Sequence, residues 1–143
     1  MHFPRMPIEE ESPEQLGYDK IKFNLTESSV RDRTFADLKL DLDQLTLAYT
    51  DHAGHPGLRA LIAARAGGGL TADNVLITAG AAAALFTVAI SLLDVGDHIV
   101  VVRPNYATNI ETPRAIRCAI DYVDLDFDHG FALDLDNLKS PVR

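Results

Sequence analysis

The sequence predicts an α/β protein organised on a parallel sheet, and three observations carry that prediction. From residue 71 onward, strand-like and helix-like segments alternate through short connections. Ile99-Val100-Val101-Val102 places four β-branched residues in a row between turn signals, the pattern of a strand buried on both faces. Glycine and proline punctuate the strand ends, at Gly80 and at Pro104-Asn105.

Taken in order, residues 1 to 20 carry Pro4, Pro7 and Pro13 among charged residues and read as an extended arm with one helical turn after Ser12. Ile21-Lys22-Phe23-Asn24-Leu25 alternates as a short strand, broken by Thr26-Glu27-Ser28-Ser29. Phe35, Leu38, Leu42 and Leu45 stand at helical spacing and predict a helix over 34–47, against the weight of several aspartates. A boundary falls near residue 46. Thr50 to Gly57 is a polar glycine loop, and Leu58, Leu61, Ile62 and Ala66 then share a helical face ended by Gly67-Gly68-Gly69. Next come a strand at 75–78, a helix from Ala81 to about Leu93, a turn at Asp94-Val95-Gly96-Asp97 and the β-branched strand. A helix to about Arg117, a strand at 120–125 and a short helix at 134–139 complete the series.

Composition narrows the function classes. At 143 residues with 47% hydrophobic content, the chain can bury one real core and has no room for a second complete domain. A formal net charge of −8 argues against nucleic acid or an anionic membrane surface as partner, since both need clustered Lys and Arg. The single cysteine, Cys118, excludes an intrachain disulfide framework and agrees with a reducing cytoplasm. No signal-peptide core and no run of membrane-spanning length is present, so the expectation is a soluble, cytoplasmic protein.

Two strand exits are candidate sites, and in such sheets ligands collect at the carboxyl ends of strands. The stretch Ile77-Thr78-Ala79-Gly80-Ala81-Ala82 joins a strand to a helix. Helix starts leave backbone N–H groups unpaired at the positive end of the dipole, so this junction is either an anion site or a plain turn. Neither Gly-x-Gly-x-x-Gly nor a Gly-x-x-x-x-Gly-Lys loop is present. Tyr106, at the next exit, either stacks on a flat heteroaromatic ring or packs on the core.

Other constellations fall short. His52 and His55 lack the further ligands a metal needs. Asp124, Asp126 and Asp128 match the first ligand positions of a calcium loop, yet His129 and Leu135 stand where Gly and Glu are required, so alternation on a solvated strand face accounts for these charges. Ser28, Ser29 and Thr78 have no base partner legible in the sequence.

Together these motifs resemble the class I/II, fold type I pyridoxal-phosphate-dependent aminotransferases, from about Asn24 to the end. Tyr49-x4-Gly54-x3-Leu58-Arg59 is similar to one family segment, and Asp73-x-Val75-x-Ile77-Thr78-x-Gly80-Ala81-x-x-Ala84-Leu85 to its phosphate-cup strand and helix. Leu92-Leu93-Asp94-x-Gly96-Asp97-x-Ile99-x-Val101, ending in Pro104-x-Tyr106, continues the likeness. The resemblance implies an incomplete three-layer α/β/α large domain over 46–143, preceded by an N-terminal arm and small-domain segment over 1–45.

The resemblance also implies roles. Gly80, Ala81 and Ala82 would give backbone N–H groups to the phosphate of pyridoxal 5'-phosphate, and Tyr106 would stack on its ring. Tyr49 would cross a homodimer interface to the neighbour's phosphate, and Asn24-Leu25-Thr26-Glu27 would close over the substrate. Substrates would be an amino acid, bound as an external aldimine, and a 2-oxo acid. Lyase, decarboxylase and cyclising variants share this half. Alanines at 81 and 82 depart from relatives that offer a hydroxyl or lysine there.

Lys20, Lys22, Lys39 and Lys139 do not sit in the context of the family's reactive lysine, so no catalytic residue is assigned. The expectation is an N-terminal fragment that does not transaminate alone. The alternative is a non-catalytic α/β module binding a phosphate ligand or a partner protein.

Overall fold

In the computed structural model the chain is described over residues 1–3, 10–25 and 33–139. It divides into two compact units, residues 16–78, and residues 1–15 with 79–143. The sequence features at Pro4 and Pro7, the break at 26–29 with Ser28 and Ser29, and half of the 24–27 segment lie outside the described residues.

The expected turn after Ser12 is α1 (Pro13–Leu16), with proline in its first position where no N–H is needed. In the unit 16–78, the alternation at 21–25 does not become a strand. Phe23 and Leu25 are exposed, so no buried face exists to fix a register. The helix expected over 34–47 is a single turn, α2 (Phe35–Leu38), opened by a reciprocal cap between Thr34 and Asp37. Lys39 turns left-handed at φ 51° and ends it. The Asp41 carboxylate then accepts the Asp43 N–H at 3.2 Å, a local bond that competes with helix, while Leu40, Leu42, Leu45 and Leu47 find no core.

Helix α3 (Pro56–Ala66) forms as expected and ends at Gly67. Its start rests on His55, whose Nδ1 accepts the N–H groups of Gly57 at 3.1 Å and Leu58 at 3.4 Å. On the helix, Arg59 reaches back to the chain beyond it. Its Nε donates to the carbonyls of Ala72 at 3.0 Å and Val75 at 2.9 Å, and Nη2 lies 3.4 Å from Asp73.

Residues 75–78, expected as a strand, are extended but join no ladder. Their polar groups are taken by nearer partners: Ile77 donates to the Ala53 carbonyl at 2.9 Å, and the Val75 carbonyl belongs to Arg59. Gly54 lies against this segment with φ 101°, and a Cβ there would fall 2.4 Å from the Ile77 side chain.

The other unit holds the sheet. Strands β1 (His98–Arg103) and β2 (Ala119–Asp124) pair in parallel, from His98 opposite Ala119 to Arg103 opposite Asp124. Helix α4 (Ala81–Leu92) precedes β1, and α5 (Ala107–Ile116) connects the strands, packing on both and on α4. The core collects where α5 meets the sheet: Val101, Val123, Ile110, Ala115, Ile116 and the fully buried Pro113. A short α6 (Leu135–Lys139) follows.

Burial of β1 is shallower than the β-branched run predicts. Val101 is 4% exposed, but its strand neighbours are half-buried, because β1 has one ladder partner among the described residues. Helix α4, apolar nearly throughout, has no buried residue. Between α4, β1 and α5 lies an apolar cleft of about 390 Å³, lined in part by Leu85, Val88, Leu92, Val100 and Val102. No described helix is long and apolar enough to cross a membrane.

Polar ties fasten the strand ends. At the carboxyl end Arg103 makes two 2.7 Å bonds to Asp124, and its guanidinium stacks 4.1 Å from the Tyr122 ring centre. Arg114 on α5 joins the buried Glu111 to the Tyr122 hydroxyl.

Two substitutions test the packing of residues 16–78. Arg59→Ala removes two charge-assisted bonds from a largely buried side chain and is expected to cost about 1–3 kcal/mol, with Arg59→Lys recovering little because Lys lacks the Nε geometry. Gly54→Ala forces both a left-handed alanine and an overlap with Ile77, at roughly 2–5 kcal/mol. Urea midpoints of the full chain check both.

Candidate functional site

The first junction, where the expected strand at 75–78 is extended chain outside the sheet, is built by backbone alone. Gly80 takes φ 87° and ψ 168°, a region open in practice only to glycine, and this turns the extended chain into α4. No side chain caps that end and the first turn carries no acidic residue. Gly80, Ala81 and Ala82 are exposed, and no atom lies within 4 Å of where a Gly80 Cβ would stand. A helix beginning this way directs its leading N–H groups outward at the positive end of its dipole, beside open space. That arrangement fits a phosphate.

The second exit follows β1. Pro104, joined to Arg103 by a cis peptide bond, leads into Asn105 and then Tyr106, the residue that starts α5. Tyr106 is 53% exposed, so its ring is not consumed by the core. Of the two readings open for this tyrosine, packing on the core is the one its exposure disfavours. Asn105 lines the apolar cleft together with Leu85 and Ala89 of α4.

Thus Gly80, Ala81, Ala82 and Tyr106 open two helices that pack against each other within one unit. Tyr49 belongs to the other unit, where its side chain is fully exposed.

Groups set aside on sequence grounds have other uses. His55 is a helix cap. Asp124 is held by Arg103, while Asp126 closes its own turn through the Asp128 N–H and His129. The described residues contain no cluster of three His, Cys, Asp or Glu side chains able to hold a metal. Partial burial, and then Asp97 and Asp94, push the Cys118 thiol above its ordinary value, so it is protonated at neutral pH. The hydrogen bond to Asp124 chiefly raises Arg103, and that to the Tyr122 hydroxyl chiefly raises Arg114. Both remain cations throughout.

Residues 20–143 match the family model for aminotransferase class I and II. The chain belongs to this family. Capreomycidine synthase of Streptomyces vinaceus is 30% identical over 146 aligned positions, covering 96% of this chain and 37% of that protein. A solved PLP-dependent aminotransferase from Streptococcus suis superposes with a TM-score of 0.66 at 25% identity, over 71% of this chain and 27% of the other. The solved PLP-dependent cyclase OrfR gives a TM-score of 0.66 at 28% identity, over 81% and 32%. The chain therefore spans about a third of the length of these relatives. Its mixed α/β architecture is that of the fold type I aminotransferases, with a small parallel sheet and an incomplete large domain.

Within this aminotransferase-family chain, sequence reasoning missed Asn105 as anything more than a strand terminator. The signal available was its place in Pro104-Asn105-Tyr106, the short link between an expected strand and an expected helix.

Gly80→Ala meets no neighbouring atom, so its expected cost is backbone strain alone, about 1–3 kcal/mol. A lowered urea midpoint of the full chain checks it.

Proposed function

We propose that this chain is the cofactor-cradling part of a pyridoxal-phosphate-dependent enzyme of the aminotransferase type, acting on an amino acid and a 2-oxo acid. The observation that carries the reading is the start of α4: without a capping side chain on its first residue, free of acidic residues in its first turn, and opened by a glycine with room for a Cβ, in a chain of this family. The residues present fit the group. Gly80, Ala81 and Ala82 would hold its phosphate through backbone N–H groups, and Tyr106 would stack on its ring. When bound, pyridoxal phosphate supplies an electron sink for charge that develops at the α-carbon of the amino acid.

In this reading residues 1–45 form the arm and small-domain segment, and 46–143 the first part of the large domain. Lys20, Lys22, Lys39 and Lys139 do not stand in the sequence context of the family's reactive lysine, so in this reading the 143 residues alone do not transaminate and the reactive lysine comes from elsewhere in the protein. The fully exposed Tyr49 supports a homodimer in which it reaches the partner's phosphate. The protein works in the cytoplasm, in keeping with its single cysteine.

A second reading is favoured by one observation. Two of the relatives above, covering 96% and 81% of this chain, carry the names synthase and cyclase. Under it, the same cradle serves an enzyme that closes a ring on its amino-acid substrate and transfers no amino group.

The test uses the protein encoded by the intact reading frame. Incubated with pyridoxal phosphate, it is expected to show a visible cofactor band that vanishes when the reactive lysine is substituted. Absence of any band in the intact protein removes the enzyme reading and leaves the non-catalytic module. Mass spectrometry of the products separates the two enzyme readings: a new 2-oxo acid indicates transfer, a cyclised amino acid the alternative. Tyr49→Phe is expected to raise the dissociation constant for pyridoxal phosphate about tenfold or more, through loss of one charge-assisted bond.

A further inference from the structure

The link between β1 and α5 contains a clamp that neither the family likeness nor the proposed cradle explains. The Asn105 amide makes three bonds of 2.8 Å each: Nδ2 donates to the Val102 carbonyl, and Oδ1 accepts both the Tyr106 N–H and Asn109 Nδ2. The amide's orientation is fixed by its backbone partners, because a carbonyl can only accept and an N–H can only donate. Asn109 is braced in turn, its N–H donating to the Tyr106 carbonyl at 3.0 Å. Tyr106 is therefore held at both its N–H and its carbonyl, while its ring remains half in solvent.

The clamp stands on a fixed base. Arg103, two residues earlier, makes the paired bonds to Asp124, and its carbonyl accepts the Leu125 N–H at 2.7 Å. Only Asn meets the geometric demand at position 105. Asp has no donor for the Val102 carbonyl, Ser has one oxygen for three partners, and Gln sets its amide a methylene farther out.

We propose that Asn105, braced by Asn109, is a positioning residue that fixes the direction of the Tyr106 ring against the pyridoxal phosphate ring. This rests on the stacking role given to Tyr106 above. A half-exposed ring has little packing to hold it, so its aim depends on the backbone it hangs on. Sites of this kind need their groups within about 0.5 Å and 10–20° of the working geometry. Asn105 supplies that restraint through its bond to the Tyr106 N–H and through Asn109, whose own N–H is bound to the Tyr106 carbonyl.

The experiment uses the full-length protein and its Asn105→Ala, Asn109→Ala, Tyr106→Ala and Asn105→Ala/Tyr106→Ala variants. Three quantities are read: the dissociation constant for pyridoxal phosphate from titration of the apoprotein, the visible circular dichroism per bound cofactor, and the melting temperature of the apoprotein. Asn105→Ala is expected to weaken cofactor binding about tenfold and to cut the visible dichroism by about half. Asn109→Ala, which leaves both backbone bonds of Asn105 in place, does the same to a smaller degree and keeps the inference testable if Asn105→Ala fails to fold. The double variant is expected to bind no more weakly than Tyr106→Ala, since Asn105 acts through that ring.

If Asn105→Ala and Asn109→Ala lower only the melting temperature, or if the double variant shows additive losses, the positioning role is overturned while the stacking role stands. If Tyr106→Ala changes neither binding nor dichroism, the stacking role itself fails, and the inference with it.

Discussion

Two parallel strands cannot be joined by a tight turn; the chain must leave one at its carboxyl end, cross the sheet and re-enter at the amino end of the next. That constraint organises the unit holding β1 and β2. It forces Pro104, Asn105 and Tyr106 to the carboxyl edge, makes α5 the return path, and sets Pro113 and Ile116 over Val101 and Val123 as the core. The bidentate pair of Arg103 with Asp124 closes the ladder at the edge where the polar work is done. Without the parallel pairing, neither the exposed tyrosine nor the clamp beneath it has a fixed place to stand.

The charges follow the same division. The excess of acid that makes the chain −8 overall is absent from the first turns of α4 and α5, where a carboxylate would offset the positive end of the helix dipole for any approaching anion. Elsewhere carboxylates are put to structural use, Asp124 on Arg103, Asp73 near Arg59, Glu111 inside α5 with Arg114. One oxygen of Glu111 is buried with no hydrogen-bond partner, the single such side-chain atom among the described residues.

The elements legible in the sequence are those whose signals are local and whose partners lie close in the chain. Helices α3, α4 and α5 and both strands fall within a residue or two of their expected bounds, because each has a local apolar pattern and all but β2 have a glycine or proline near a border. The failures share a cause. Residues 21–25, 34–47 and 75–78 have patterns that need a distant apolar surface, and they meet solvent, an Asx turn and Arg59 respectively. Periodicity reports what a segment can bury; it does not report whether anything is there to bury it. Of the candidate site, both helix starts were visible at Gly80 and Tyr106, although only Tyr106 follows a strand. The three bonds of Asn105 were not, since a side-chain amide reads the same in a loop whether it clamps the backbone or faces water.

The division of the chain carries a kinetic consequence. Residues 1–15 belong with 79–143, and Met1 sits in a shallow cleft with Ile90, Leu93 and Ile116. During synthesis residues 1–15 precede residues 16–78, so their partners in 79–143 are made only after all of that intervening stretch, a delay of seconds at translation rates of about 5–20 residues per second. The interrupted unit thus folds across a long loop that must be closed late, whereas residues 16–78 can organise as they appear.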